Sequence, residues 1–379
     1  MKTALKWIAF GAAMAPAAAF AQVTACVTVS ASGPAASLGI SAQNTVAFVP
    51  KKAGEAEIKY VVYDDASDPT NAARNARKCV EDHKADVILG SSTSPAAAAA
   101  AAVAAETGTP LIAVAPVNVP PPVEKWTFRT AQKNEIMASA IIAHMKKNNV
   151  KTLGFIGYND AFGEDWLNAM KALLKDSGVT IGPVERFART DTSVTGQVLK
   201  LVSAKPDAVL IIGTGTGAAL PPTALKERGY KGLVYQSQGA GTRDFIRVAG
   251  KNAEGNLVPL GTVVVASQLP DSHPSKRLGL EYTRQYEAAH GPGSVSAFGG
   301  MLFDAGQLVA AAVPKALDKG KPGTPEFRAA LRDNIEGLHE VVGVNGVYNM
   351  SPADHFGHDS RSRALVQVDG GDFKFVSMD

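Results

Sequence analysis

Apolar positions along this chain fall into two alternating registers. Runs rich in Val, Ile, Leu and aromatic residues occur at 23–29, 58–63, 86–89, 111–115, 152–157, 179–187, 208–212 and 233–236, each of a length that suits a buried strand. Between them, at 71–82, 95–106, 135–147, 164–175, 196–203 and 222–228, apolar residues recur three and four apart, which predicts helices. Strands and helices taking turns predict an α/β fold of parallel sheets covered by helices on both faces. The second four strands repeat the architecture of the first four without repeating their sequence. The pattern therefore predicts two similar lobes, not a solenoid array.

Beyond Asn252 the rhythm changes. An extended run at 257–267 containing Pro259 and Gly261 is followed by helical patterns near 275–290, 295–317 and 325–334, then by a second extended run at 341–349 and a Gly- and Asp-rich ending. A chain that builds two lobes and then adds helices and further strands must cross back between them. Three crossings are expected, near Thr130, Asn256 and Gly343, dividing the chain into lobe 1 (22–130 plus 256–340) and lobe 2 (131–255 plus 341–379). The alanine run at 96–105 reads as a helix, with Ser94 at the N-cap and Pro95 at the first helical position.

The first 21 residues change the picture of where the protein works. Lys2 and Lys6 precede an apolar run from Trp7 to Phe20, and Ala19-Phe20-Ala21 stands before Gln22. This is the order of a cleavable secretory leader, too short to span a bilayer. An uncleaved anchor is the alternative. Cleavage would leave 358 of the 379 residues and lower the formal net charge from +3 to +1. That length calls for two lobes, and a near-neutral surface argues against a nucleic-acid partner. With 46% hydrophobic and 7% aromatic residues the chain is globular.

Two cysteines remain, Cys26 in the first strand and Cys79 on the apolar helical face shared with Ala72, Ala76 and Val80. Export favours a disulfide. A strand and a helix in different layers, however, are expected to lie beyond the roughly 7 Å Cα separation a disulfide tolerates, so two buried thiols are predicted.

Candidate chemistry gathers at strand ends. Gly90-Ser91-Ser92-Thr93-Ser94-Pro95 follows a buried strand and opens a helix, so hydroxyls, peptide N–H groups and the helix dipole converge on a site for a carboxylate or phosphate. Gly213-Thr214-Gly215-Thr216-Gly217 resembles a dinucleotide fingerprint. The next strand, however, ends Tyr235-Gln236-Ser237-Gln238 without the acid that would hold a ribose, so these glycines read as close backbone approach to a small ligand. No G-x-S-x-G elbow is present. His355 and His358, flanked by Asp354 and Asp359, sit in a Pro- and Gly-containing loop and read as turn residues, not metal ligands. Asp64 and Asp65 likewise read as turn and cap residues. Phe162, just past a strand end, and Phe298, near the start of a long apolar helix, could wall a small cleft.

Taken in order, Ser30-Ala31-Ser32-Gly33-Pro34-Ala35-Ala36-Ser37-Leu38-Gly39, Asp64-Asp65-Ala66-Ser67-Asp68-Pro69, Phe128-Arg129-Thr130 and Ser351-Pro352-Ala353-Asp354-His355 resemble the leucine/isoleucine/valine-type periplasmic solute-binding proteins of ABC transporters. The resemblance spans essentially the whole chain after the leader. It implies a type I periplasmic-binding fold, in which two Rossmann-like lobes with parallel sheets, joined by three hinge crossings, close on a ligand. It also implies a monomer without catalytic activity or cofactor, and an inner-membrane permease as partner. In amino-acid-binding members the positions matching Ser91, Ser92 and Thr93, and the strand end at Ala113, Ala115 and Pro116, hold the ligand carboxylate. Those matching Phe162, Thr214 and Phe298 shape the side-chain pocket, and an acid at the position matching Gln238 pairs with the ligand ammonium. Gln in that place, and Leu38 where an aromatic hydroxyl is common, imply a small carboxylate lacking an α-ammonium group, an aromatic or 2-oxo acid. Asp160 could replace the missing acid, which keeps amino-acid binding open, and the same fold serves sensory receptors.

Overall fold

The computed structural model describes residues 21–378; the leader assigned above therefore lies, apart from Ala21, outside the described residues. The first sheet contains β1 (Gln22–Val29), β2 (Lys52–Ala53), β3 (Ala56–Asp64), β4 (Val87–Gly90), β5 (Leu111–Ala113) and β6 (Thr127–Arg129), in the order β2-β3-β1-β4-β5-β6. All its pairings are parallel except the β2–β3 hairpin. The second sheet contains β7 (Thr152–Tyr158), β8 (Thr180–Phe187), β9 (Ala208–Ile212), β10 (Leu233–Gln236) and β11 (Leu257–Leu260). After the short ribbon of β12 (Val341–Val342) and β13 (Val347–Tyr348), β14 (Ala364–Asp369) and β15 (Asp372–Ser377) join its edge antiparallel, giving the order β15-β14-β11-β10-β9-β7-β8.

Twelve helices flank the sheets among the described residues: α1 (Ala36–Thr45), α2 (Pro69–His83), α3 (Ser94–Thr107), α4 (Pro121–Glu124), α5 (Asn134–Lys147), α6 (Ala161–Leu174), α7 (Thr195–Ser203), α8 (Leu220–Glu227), α9 (Arg243–Ala249), α10 (Lys276–His290), α11 (Ala297–Leu317) and α12 (Pro325–Glu336). Strand alternation decides which covers which face. On β1, Val23, Ala25, Val27 and Val29 enter a core with residues of α1, α11 and α12, while Cys26 points to the opposite face, among α2 and α3. α11 is long and apolar enough to cross a membrane by length and composition, but here it is the central core helix of lobe 1.

The predicted free thiols are wrong. Cys26 and Cys79 form a disulfide, with Cα atoms 5.7 Å apart. Layer spacing runs from helix axis to sheet, whereas the Cα of an inward-facing residue stands about 2.3 Å nearer the sheet. Ala72 and Ala76, fully buried on the same face of α2, add no bulk to hold the helix away.

Two of the expected crossings are also displaced. Leu257–Leu260, assigned from sequence to lobe 1, is β11 of the second sheet, parallel to β10 and antiparallel to β14. Tyr348 and Met350, assigned to lobe 2, belong to the core of lobe 1, and the chain enters the second sheet again only at Ala364. Extended backbone reads alike whether it pairs in a sheet or links two lobes. The linking segments touch one another through buried polar bonds: Gln132 donates to the carbonyls of Asn345 (3.2 Å) and Ser362 (2.9 Å), and Thr262 to that of Val344 (2.9 Å).

Candidate ligand-binding site

A small cleft lies between the lobes. Its position follows from topology. In each sheet the strand order reverses beside the first strand of that lobe, β1 in one and β7 in the other, and loops leaving the carboxyl ends of the strands diverge there to open a crevice. Ser92, Thr93 and Ser94 follow β4, and Ala115 and Pro116 follow β5; from the other lobe Phe162 follows β7, Arg189 follows β8, Thr214 follows β9 and Gln238 follows β10. Leu38 of α1 and Phe298 and Met301 of α11 complete the lining.

Eight of the ten residues singled out from sequence thus meet in one place; Ser91 and Ala113 do not line it. Ser91 is fully buried, and its hydroxyl donates to Asp65 Oδ2 at 2.6 Å. Asp65 collects donors beneath the loop: Ser30 Oγ at 2.7 Å, Thr28 Oγ1 at 3.2 Å and the Ser67 N–H at 3.1 Å. Burial pushes its carboxyl above the ordinary range, against the opposing pull of these donors. Ser94 donates to the Pro116 carbonyl at 2.5 Å and ties the two lobe 1 loops together. Of the four consecutive hydroxyls, that of Thr93 and the O–H donor of Ser92, whose oxygen accepts from the Ser30 N–H at 3.4 Å, remain for a ligand. Thr93, not Ser94, is the N-cap of α3, and its side chain makes no capping bond, which leaves the first turn of the helix without a side-chain cap. Gly90 makes the loop geometry attainable: its φ is +115°, and a Cβ there would stand 1.8 Å from the Thr28 carbonyl oxygen.

Gln238 is buried and oriented by its neighbours. Trp166 Nε1 donates to its Oε1 at 3.0 Å, and its Nε2 donates to Asn134 Oδ1 at 3.1 Å. An indole N–H can only donate, which fixes which end of the amide is oxygen. One amide hydrogen is left over. Asp160 is already engaged within its own lobe. Its Oδ1 caps α6 by accepting from the N–H groups of Phe162 (3.0 Å) and Gly163 (3.3 Å), and its Oδ2 accepts from Arg189 Nε at 2.6 Å. It is not among the cleft-lining residues, none of which is acidic.

The glycine run after β9 serves a different approach from the one expected. A Cβ on Gly215, whose φ is +51°, would stand 2.1 Å from Ser37 Oγ of α1. The close approach is thus to the other lobe, not to a ligand. His355 is bonded to the Glu124 carbonyl (2.9 Å) and to Glu336 (3.0 Å), and no group of three His, Cys, Asp or Glu among the described residues is placed to hold a metal.

Sequence reasoning left out Arg189, Met301 and Gly239 as lining residues. Arg189 carried a usable signal, since it stands two residues beyond the end of β8; Met301 lies one helical turn beyond Phe298 on α11.

Two α/β lobes with a small cleft where strand ends converge are the architecture of a solute-binding protein. The family model of periplasmic binding proteins matches residues 22–372, and the chain belongs to that family. An extracellular ligand-binding receptor from Rhodopseudomonas palustris HaA2 has a crystal structure similar to this one at a TM-score of 0.92, with 47% identity over 94% of this chain and 100% of that one. Leu/Ile/Val-binding protein homolog 3 of Brucella melitensis is 28% identical over 268 residues, 67% of this chain and 71% of that protein. The fold is also that of a leucine-binding protein from Thermotoga maritima MSB8, at a TM-score of 0.80 and 20% identity over 94% of this chain and 98% of that one. The chain is therefore a periplasmic solute-binding protein of the Leu/Ile/Val-binding type, with the type I periplasmic-binding fold.

Proposed function

We propose that this protein, exported through a leader ending at Ala21, acts as a monomer that closes its lobes on a small carboxylate without an α-ammonium group, an aromatic or 2-oxo acid, and delivers it to an ABC permease of the inner membrane. One observation carries the substrate reading: no acidic side chain lines the cleft, and Gln238 presents an amide whose oxygen is already engaged by Trp166. An ammonium enclosed there would lose its hydration and meet no anion. Ser92, Thr93 and the N-terminus of α3 supply donors for a carboxylate, and Phe162, Phe298, Leu38 and Met301 supply apolar walls.

A second reading, an amino acid as ligand, is favoured by the names of relatives, among them a leucine-, isoleucine-, valine-, threonine- and alanine-binding protein of Pseudomonas aeruginosa, 27% identical over 54% of this chain. Thermal-shift titration separates the two, because a ligand that binds only the native state raises apparent stability by mass action. Benzoate or phenylpyruvate is expected to raise the midpoint while leucine, isoleucine and valine leave it in place. Stabilisation by a standard amino acid alone would establish the second reading instead.

The carboxylate loop has its own test. Loss of a hydrogen bond to a charged group costs about 1.5–3 kcal/mol, so Ser92→Ala is expected to weaken carboxylate binding at least roughly tenfold with the melting curve of the free protein preserved. An equal loss for an uncharged amide analogue would show that the loop does not read charge.

A further inference from the structure

We infer that Arg189 makes the cleft a two-point site, so that the ligand carries, besides its carboxylate, a second and uncharged oxygen that Arg189 receives. The inference rests on the carboxylate reading of the same cleft. Arg189 is held from three sides: Nε donates to Asp160 Oδ2 at 2.6 Å, Nη1 to Thr214 Oγ1 at 3.1 Å, and the guanidinium carbon stands 4.2 Å from the centre of the Tyr158 ring. Its side chain is 16% exposed. A guanidinium has five N–H donors in a rigid fork. Two are spent on Asp160 and Thr214, and Nη2 has no partner among the described residues. Arg189 lines the same cleft as Leu38, Phe162, Phe298 and Met301. Apolar surface offers its remaining donors nothing, and closure removes water, so an acceptor on the ligand is what meets their need.

The nature of that acceptor follows from charge and from position. Asp160 already neutralises Arg189, so the pair offers direction more than net charge. A hydroxyl, ketone or ether oxygen fits this without bringing a second anion beside Asp160, as a dicarboxylate would. The carboxylate itself has donors on the other lobe, at Ser92, Thr93 and the start of α3. Arg189 reaches the cleft from lobe 2, in the loop after β8, and therefore addresses a different part of the same molecule. The substrate class narrows to oxygen-substituted carboxylates.

Isothermal titration with matched acids tests this: benzoate against 4-hydroxybenzoate, and phenylpyruvate against 4-hydroxyphenylpyruvate. The unmodified protein is expected to bind the hydroxylated member of at least one pair tenfold or more tightly. Arg189→Met should bring that ratio close to one, and Arg189→Lys, which keeps a charge for Asp160 but not the fork, should do the same. Melting curves of the free variants check that α6 keeps its cap. A preference that survives both substitutions, or none in the unmodified protein when the acids bind, would overturn the inference alone. Binding of leucine but of none of the four acids would remove the proposed function and this inference with it.

Discussion

Gln238→Glu is expected to weaken binding of a carboxylate ligand roughly a hundredfold at pH 8 and to create affinity for leucine-type amino acids. The fold should accept the change, since Trp166 Nε1 would donate to a carboxylate oxygen as it now does to Oε1, and Asn134 can turn its amide to donate where it now accepts. The cleft would respond differently. Two like charges about 5 Å apart at an effective dielectric of about 20 repel by about 3 kcal/mol, which is roughly two orders of magnitude in affinity. Burial and the ligand's charge both raise the pKa of the introduced carboxyl, so carboxylate binding should be accompanied by proton uptake and should recover as the pH falls toward 5. Calorimetry in buffers of different ionisation enthalpy would register that proton. An equal loss for neutral benzamide would sink the electrostatic account.

Breaking the Cys26–Cys79 bond should produce the largest change in stability. The two residues are 53 apart in sequence, and loop-closure entropy for a cross-link of that span corresponds to about 4 kcal/mol, within the range of about 0–5 kcal/mol seen for disulfides. The Cys26→Ala/Cys79→Ala double variant, or the unmodified protein under reductant, should therefore unfold at markedly lower denaturant concentration. The bridge joins β1 to α2 on the face away from α11 and lines no part of the cleft. In denaturant, thiol reagents should find no reactive cysteine before reduction and two after it; two before reduction would return the chain to the free-thiol expectation.

Much of the architecture was legible in the sequence because it rests on local physics. The strands at 208–212 and 233–236 coincide with β9 and β10, since unbroken apolar runs of four or five residues between turn signals have few other homes in an α/β protein. Strand ends were legible too, which is why Ser92, Thr93 and Phe162 could be named from local pattern before their convergence was seen, while Thr214 and Gln238 were named through the family resemblance. Other elements escaped. β6 is only three residues long, and β14 in the Gly- and Asp-rich ending is held by β11, far away in the chain, with β15 folding back on it as a hairpin. The Ser, Gly and Asn residues of α1 carry little periodic signal, and packing against α11 is what makes it a helix.

The sequence by itself determined the layered α/β architecture, the two-lobe plan and the places where ligand chemistry could sit, because hydrophobic period and turn residues act over a few neighbours. Tertiary structure alone decided what those groups are free to do. Asp65, 26 positions before Ser91, takes that hydroxyl out of the site. Arg189 occupies Asp160, which had been a candidate for the missing acid, and Trp166 holds the oxygen of Gln238. It also placed Cys26 and Cys79 within bonding reach, since that distance depends on how closely two alanines let a helix settle onto its sheet. Each hydrogen-bonding group can be spent only a limited number of times, and which partner spends it is a matter of distance in space, which no local pattern encodes.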